Sequence, residues 1–320
     1  MSDLDIRQLA ADRLHDDLVA ARRSGDFVAV ARLAREAIAL VEAKHGAHHP
    51  ASAEWWCELG EAQLRLGEWV AADATLARAE ILIGPQGKPT QLAEIWFRRG
   101  DSAARRGDYV AAEKWLRQAI AKLDAKSAAS DVITVHGSLA SVLRAAGNSE
   151  GAGQELAVAI DVARQADEPW LLARALSERA EWAVEARDFV TAEQALAEAV
   201  QLHREHPEAP LAAAQVFSLL GEVLEATARF ADSVSCYETA RDLLALQLQP
   251  DHPQLGVAEL NIATARRRAG QPAETAAQAA LRIFVVHFGA EHSHTSKVMV
   301  ALADLFGAEQ ARQWLHKLAS

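Results

Sequence analysis

Apolar residues recur at intervals of three and four along most of the chain. The segment with Trp56, Leu59, Gly60 and Leu64 is one example, and these positions fall on one face of a helix. Short polar stretches separate the segments of this kind. The pattern therefore predicts a series of amphipathic helices joined by tight turns.

The predicted turns recur every 40 to 42 residues, at Gly25-Asp26-Phe27, Gly67-Glu68-Trp69, Gly107-Asp108-Tyr109, Gly147-Asn148-Ser149, Arg187-Asp188-Phe189, Ala228-Arg229-Phe230 and Gly270-Gln271-Pro272. Glycine at the first position accepts the left-handed backbone that ends a helix. An acidic residue at the second position suits the start of the next helix. Such a period predicts helix hairpins, which bury their apolar faces only by stacking on one another.

The turns and the residues around them resemble the tetratricopeptide repeat (TPR) family. The signature is carried by Trp56-Cys57-Glu58-Leu59-Gly60, Gly67-Glu68-Trp69, Ala72, Leu76 and Ala79, and again by Trp96, Gly100, Gly107-Asp108-Tyr109, Ala112, Leu116 and Ala119. The longer period and loops such as His48-His49-Pro50 are similar to kinesin-light-chain repeats. The resemblance implies an all-α, right-handed superhelical solenoid of antiparallel helix pairs, with about seven repeats and a C-terminal capping hairpin.

No linker-like segment interrupts the repeats, so we expect one domain over residues 1–320. The repeats are predicted at about 10–45, 50–84, 90–125, 130–167, 170–205, 210–248 and 252–288, and the cap at 292–320.

Charge and composition narrow the class of protein. The 320 residues have a net charge of −11, which argues against nucleic-acid binding because that requires a basic face. No apolar run approaches the ~20 residues that membrane insertion requires. Cys57 and Cys236 are the only cysteines, and no secretory signal is visible at the start. We therefore expect a cytoplasmic protein.

Two motifs suggest catalysis or metal binding, but the structure predicted around them does not suit either function. Gly147-Asn148-Ser149-Glu150-Gly151 matches the nucleophile elbow of hydrolases, but that elbow follows a strand and a helix is predicted here. The histidines at 45, 48 and 49 lie in a predicted loop, which lacks the fixed geometry of a metal site. The sequence predicts no enzyme, no metal and no cofactor.

The TPR resemblance implies a concave groove lined by the second, fifth, ninth, twelfth and thirteenth positions of each first helix. On that register the candidate partner-binding residues are Glu61, Leu64, Arg65, Phe97, Asp101, Arg105, Arg144, Glu181 and Glu222. Two interpretations remain open. The pairs Glu61–Arg65 and Asp101–Arg105 are surface ion pairs of a solvated face, or the arginines bind a peptide and Phe97 with Leu64 forms its apolar anchor.

Two further segments have functional alternatives. The fourth repeat carries His136, Gly137, Ser149, Gly151 and Gly153 and is a hinge, a small pocket or merely a degenerate repeat. The segment Ile283–Phe288 is apolar on nearly every side. If the terminal hairpin does not cover it, the segment is a self-association surface.

The sequence thus predicts a non-enzymatic scaffold or adaptor that binds a protein or peptide in its groove. The alternative is a ligand- or peptide-responsive regulator that acts through another protein, of the kind found in bacterial signalling.

Overall fold

The computed structural model of the chain describes residues 3–85, 87–123 and 128–319. In these ranges the chain forms sixteen α-helices and a 3-10 turn at Pro50–Ser52, and it contains no β-strand. Contacts divide the chain into two compact units, Met1–Val162 and Ala163–Ser320, with the boundary inside helix α8. The all-α class and the pairing of consecutive helices are confirmed.

The first unit contains α1 Asp3–Ser24, α2 Phe27–His45, α3 Ala53–Arg65, α4 Trp69–Ile83, α5 Pro89–Arg105, α6 Tyr109–Ile120, α7 Ala129–Ala145 and most of α8 Ser149–Gln165. The small residues of the repeat allow close helix packing. A methyl group on Gly60 would lie 2.7 Å from Leu76, and one on Gly100 would lie 2.8 Å from Leu116. Leu76 and Leu116 are almost completely buried, so these crossings form the core of their pairs.

The second unit contains the end of α8 and α9 Pro169–Glu185, α10 Phe189–Glu205, α11 Pro210–Ala226, α12 Phe230–Ala245, α13 Pro253–Arg268, α14 Glu274–Phe288, α15 Ser293–Phe306 and α16 Ala308–Ala319. Helix α1 begins at Asp3, before the predicted start of the first repeat at about 10, and the bounds of the repeats stay a prediction. The predicted repeat end at 125, and residues 1, 2 and 320 of the predicted domain, lie outside the described residues. The prediction of a single domain stays a prediction.

The predicted turns have the expected backbone. Their glycines have φ between 70° and 84°, as at Gly107 and Gly147. Asp26, Asp108 and Asp188 each accept a hydrogen bond from the backbone N–H three residues later, at 3.0–3.1 Å. Glu68 occupies the same position before α4, but its side chain makes no such bond. Glutamate is not among the residues that cap well, because its longer side chain fits the cap geometry poorly.

The terminal hairpin of α15 and α16 packs against α14. Phe284 and Leu281 of α14 join Val298, Leu302 and Trp314 of the hairpin in one buried cluster. Thr295 of α15 is fully buried and donates its hydroxyl hydrogen to the backbone oxygen of Gly289 at 2.7 Å. The hairpin therefore covers α14, as a cap does.

This packing changes the expectation for Ile283–Phe288. Ile283 and Phe284 are buried, Val285 and Phe288 are half-buried, and Val286 is 61% exposed. Self-association was expected only if the terminal hairpin left this segment uncovered. Among the apolar side chains of the segment, only Val286 is exposed. Self-association stays a prediction, now with a much smaller apolar surface.

None of the helices in the described ranges combines the length and the apolarity that crossing a bilayer requires.

Candidate functional site

The first unit contains a pocket of about 500 Å³ on the face formed by α3, α5 and α7, here called the α5 pocket. Six of the predicted groove residues line it together, namely Glu61, Leu64, Arg65, Phe97, Asp101 and Arg105. The α5 pocket is therefore the candidate site of this chain.

Helix α5 contributes to the pocket along its whole length. The side chains that line it from α5 begin at Thr90 and Gln91, in the first turn, and end at Arg105, the last residue of the helix. Among them, Gln91, Glu94, Phe97, Asp101 and Arg105 are three or four residues apart and so lie on one helix face. From Gln91 to Arg105 this face is about 21 Å long, at 1.5 Å per residue. The pocket is an elongated cleft.

Phe97 is the one aromatic residue among the described residues of the lining, and its side chain is half-buried at the middle of α5. Leu64, the other predicted anchor, also lines the pocket but offers it little surface, and its role as an anchor stays a prediction. Leu64 is only 8% exposed and belongs to a buried cluster with Leu76 and Ile95.

Arg98 is the electrostatic centre of the pocket. Its guanidinium contacts Glu61 at 2.8 Å and Glu94 at 2.6 Å, and it donates a hydrogen bond to the backbone oxygen of Cys57 at 3.3 Å. The side chain is 13% exposed. Burial opposes its charge, but Glu61 and Glu94 outweigh burial and raise the pKa of Arg98. Arg98 therefore fixes these two carboxylates on the floor of the pocket.

The expected ion pair between Glu61 and Arg65 is absent among the described residues. Glu61 instead binds Arg98 and Arg22, and Arg22 reaches Glu58 as well, at 3.1 Å. Arg65 lies over the ring of Phe27, 4.9 Å from its centre. Neighbouring helices supply closer cations to Glu61 than its own helix does, so Arg65 is left facing the pocket without a carboxylate.

The second expected pair is present. The Nε group of Arg105 donates to Asp101 at 3.0 Å, and the Arg105 side chain is 54% exposed. This pair lies at the same end of α5 as Arg65, because α3 and α5 both end there.

Several residues of the pocket were not singled out from the sequence. Glu94 and Thr134 occupy the second position of the groove register, so both could have been predicted as groove residues from the sequence. Arg98 and Asp131 stand outside the register. Arg98 reaches the pocket because its side chain is long, and no feature of the repeat pattern indicates this.

Three predicted groove residues lie elsewhere. Arg144 is half-buried on α7 and does not line the α5 pocket. Glu181 and Glu222 lie on α9 and α11 of the second unit, where both are exposed. Burial, and then the charge of Glu181, raise the pKa of Glu222. These two acids are therefore close enough to repel each other.

The fourth repeat is well packed in the first unit. His136 and Gly137 are buried on α7, and His136 Nδ1 contacts Glu155 at 2.6 Å. Ser149 opens α8, and Gly151 and Gly153 lie in its first turns. The degenerate sequence thus forms two regular helices, and the hinge at these residues stays a prediction.

No catalytic arrangement is visible in the described part of the chain. Ser149 follows helix α7 rather than a strand. Burial raises the pKa of the Cys57 thiol to about 12, so it stays protonated at neutral pH and is a poor nucleophile. The described residues contain no group of three or more His, Cys, Asp or Glu side chains that could hold a metal ion.

No family model matches the sequence, and no curated protein matches it either. Solved structures do match. A signal-transduction ATPase with a tetratricopeptide repeat sensor, from Pyrococcus horikoshii, superposes with a TM-score of 0.70 at 13% identity, over 99% of this chain and 47% of that chain.

Two other solved structures have the same helix-pair architecture. The apo quorum sensor NprR from B. thuringiensis has a TM-score of 0.63 at 15% identity, over 96% of this chain and 87% of that one. TPR-like repeats of a kinesin light chain from Podosopora anserina have a TM-score of 0.52 at 17% identity, over 62% of this chain and 98% of that one. The chain therefore has the TPR fold, and kinesin-light-chain-like repeats are among the structures similar to it.

Proposed function

We propose that this protein is a non-enzymatic interaction scaffold that binds a segment of a partner protein in the α5 pocket. The carrying observation is that one cleft gathers a half-buried Phe97, the exposed arginines Arg65 and Arg105, and a rigid floor around Arg98. A preformed surface of this kind binds an extended chain with little ordering cost on the protein side. The two free cysteines are consistent with a cytoplasmic location.

The energetics favour Phe97 as the main anchor. Aromatic residues that are central and partly buried dominate many interfaces, whereas exposed ion pairs contribute little. Phe97 occupies the middle of the cleft, and charged side chains surround it. A partner that covers Phe97 would bury apolar surface while its polar groups meet the surrounding charges.

Crosslinking from inside the pocket tests the proposal. A photoreactive benzophenone amino acid at position 97 of the full chain should crosslink one partner in cells, and mass spectrometry should map the attachment to one segment. The same group at position 170 is the control, because Trp170 is a 54% exposed aromatic in the second unit, outside the pocket. Equal products at both positions, or none at 97, would contradict the proposal.

Affinity measurements complete this test. Phe97→Ala should weaken binding of the mapped segment by at least about tenfold, since loss of a central aromatic anchor has effects of this size. Trp170→Ala should leave the affinity unchanged. Thermal unfolding of both variants shows whether the fold is kept.

The regulator alternative stays a prediction. It requires the same pocket but adds a change in the dimensions of the chain when the ligand binds.

A further inference from the structure

We propose that the ligand of the α5 pocket is an extended peptide of about six residues with a basic group at one end, an apolar side chain in the middle and an acidic group at the other. This inference rests on the proposed function and specifies the chemistry of the ligand. It follows from the length of the cleft and from the unpaired groups at its two ends.

The length follows from α5. The lining face runs about 21 Å from Gln91 to Arg105. An extended chain rises about 3.3 Å per residue. Six residues therefore span the cleft, and alternate side chains of such a segment point toward its floor.

One end of the cleft offers hydrogen-bond donors. Arg65 has no carboxylate partner among the described residues and is held over the Phe27 ring. Arg105 uses only its Nε group on Asp101, so both terminal amino groups of its guanidinium are free in the described structure. Two guanidinium groups with free donors favour a carboxylate ligand, because the charge-assisted bonds between them are strong.

The other end offers acceptors. Asp131, in the first turn of α7, is exposed, and its carboxylate makes no ion pair with any described residue. Glu94 contacts Arg98 through one oxygen and is 56% exposed. Thr90 and Gln91 add neutral polar groups beside them. This end favours an ammonium or guanidinium group of the ligand.

The middle of the cleft offers no unmatched charge. Glu61 and Glu94 balance the charge of Arg98, and Phe97 lies beside it. An apolar ligand side chain over Phe97 would therefore leave no charge unpaired. The order of groups along the cleft is acceptor, apolar surface and donor.

Helix stability offers a simpler reason for the same charges. Acids favour the first turn of a helix and bases the last, and Asp131, Arg65 and Arg105 occupy such turns. That explanation accounts for the charge of each residue within its own helix. It predicts an effect on thermal stability and none on the choice of peptide, so the two explanations are separable by experiment.

Selection from a displayed library of random hexapeptides tests the inference on the full chain. Sequences that bind the wild type and are rejected by the Phe97→Ala variant should carry a basic and an acidic residue at opposite ends of an apolar one. Enrichment without this charge order would overturn the inference and leave the proposed function standing. Failure to enrich any Phe97-dependent peptide would overturn both.

Charge-reversal variants then test which end of the cleft binds the acidic end of the peptide. Arg65→Glu combined with Arg105→Glu should weaken the best selected peptide by about tenfold or more, the scale of a lost charged hydrogen bond. The same peptide with lysine in place of its acidic residue should bind the double variant better than the wild type. If the lysine peptide gains nothing on the double variant, the arginines do not bind the acidic end.

A matched control is available on α6. Arg117 is 54% exposed, as Arg105 is, and it also pairs with an acid four residues before it, Glu113. Arg117 lies outside the pocket lining. Arg117→Glu should leave the affinity and the peptide preference unchanged, and an equal loss in this control would show that net charge, not the pocket, sets the effect.

Discussion

Three described residues other than glycine, Asp167, Arg187 and Ala228, have the positive φ that normally favours glycine, and two of them lie at repeat turns. At the turns of the fifth and sixth repeats, Arg187 and Ala228 have φ of 58° and 60°, close to the 70° to 84° of the turn glycines. The left-handed region costs an L-residue roughly 1–2 kcal/mol because its Cβ approaches the next carbonyl oxygen. The stacking of the helix pairs imposes this turn geometry even where the sequence does not supply glycine.

Replacing the residue at such a turn should therefore raise stability. Ala228→Gly should increase the free energy of unfolding by about 0.5–1 kcal/mol, since the relief of strain exceeds the entropy cost of glycine. Denaturant unfolding followed by circular dichroism measures the change. Ala197→Gly, on an exposed face inside α10, is the control and should lower stability by about 0.5–1 kcal/mol. A similar loss at both positions would show that residue 228 is not strained.

At the scale of the helix, two acidic residues of α11, Glu222 and Glu225, have raised pKa values. Burial raises the pKa of Glu222 and the nearby Glu181 adds to this. Burial also raises the pKa of Glu225, although Arg268, 3.5 Å away, opposes the shift. A carboxyl group with a raised pKa binds its proton more tightly in the folded state than in the unfolded state. Its ionisation therefore destabilises the fold.

The sign of this effect gives a pH-dependent prediction. Because the pKa of Glu222 is raised on folding, stability falls as the pH rises from the unfolded value near 4.3 through the folded pKa. Glu222→Gln should raise the melting temperature at pH 7, by an amount equivalent to about 0.2–1 kcal/mol. The difference should shrink toward pH 4. Glu208→Gln, on an exposed loop, removes the same charge as a control, and an equal gain there would point to net charge alone.

At the scale of the whole molecule, the described contacts between helices are short-range. Each of these contacts joins helices that are adjacent or next but one along the chain, such as α3 with α4 and α3 with α5. In such an arrangement stability is close to a sum of local terms. Damage to one repeat should then spread only to its neighbours.

Hydrogen exchange measures this directly. Leu76→Ala removes a completely buried side chain of α4 and should cost about 2–5 kcal/mol locally. Amides of α3 to α6 should lose protection, while those of α13 to α16 should keep it. Val110→Ala, at an 83% exposed position of α6, should change nothing. Uniform loss of protection along the whole chain would mean that the repeats unfold as a single cooperative body.

The amino-acid sequence was sufficient to predict the repeat. Helix period, turn glycines and the small residues at helix crossings are local features, and each turn fixes its own hydrogen bonds. The all-helical class and the pairing of helices could be predicted for this reason. Six groove residues could also be placed together, because equal positions of successive first helices share one face once the repeat register is known.

The pairing of the charges and the exposure of individual apolar side chains could not be predicted, because both depend on how the helices pack. Glu61 has Arg65 one helical turn away but binds Arg22 and Arg98 of neighbouring helices, because several cations are within reach and packing selects the partners. Leu64 is buried and Phe97 is left in the cleft for the same reason. Periodicity identifies the face of a helix, whereas the side chains that meet across that face depend on how neighbouring helices pack.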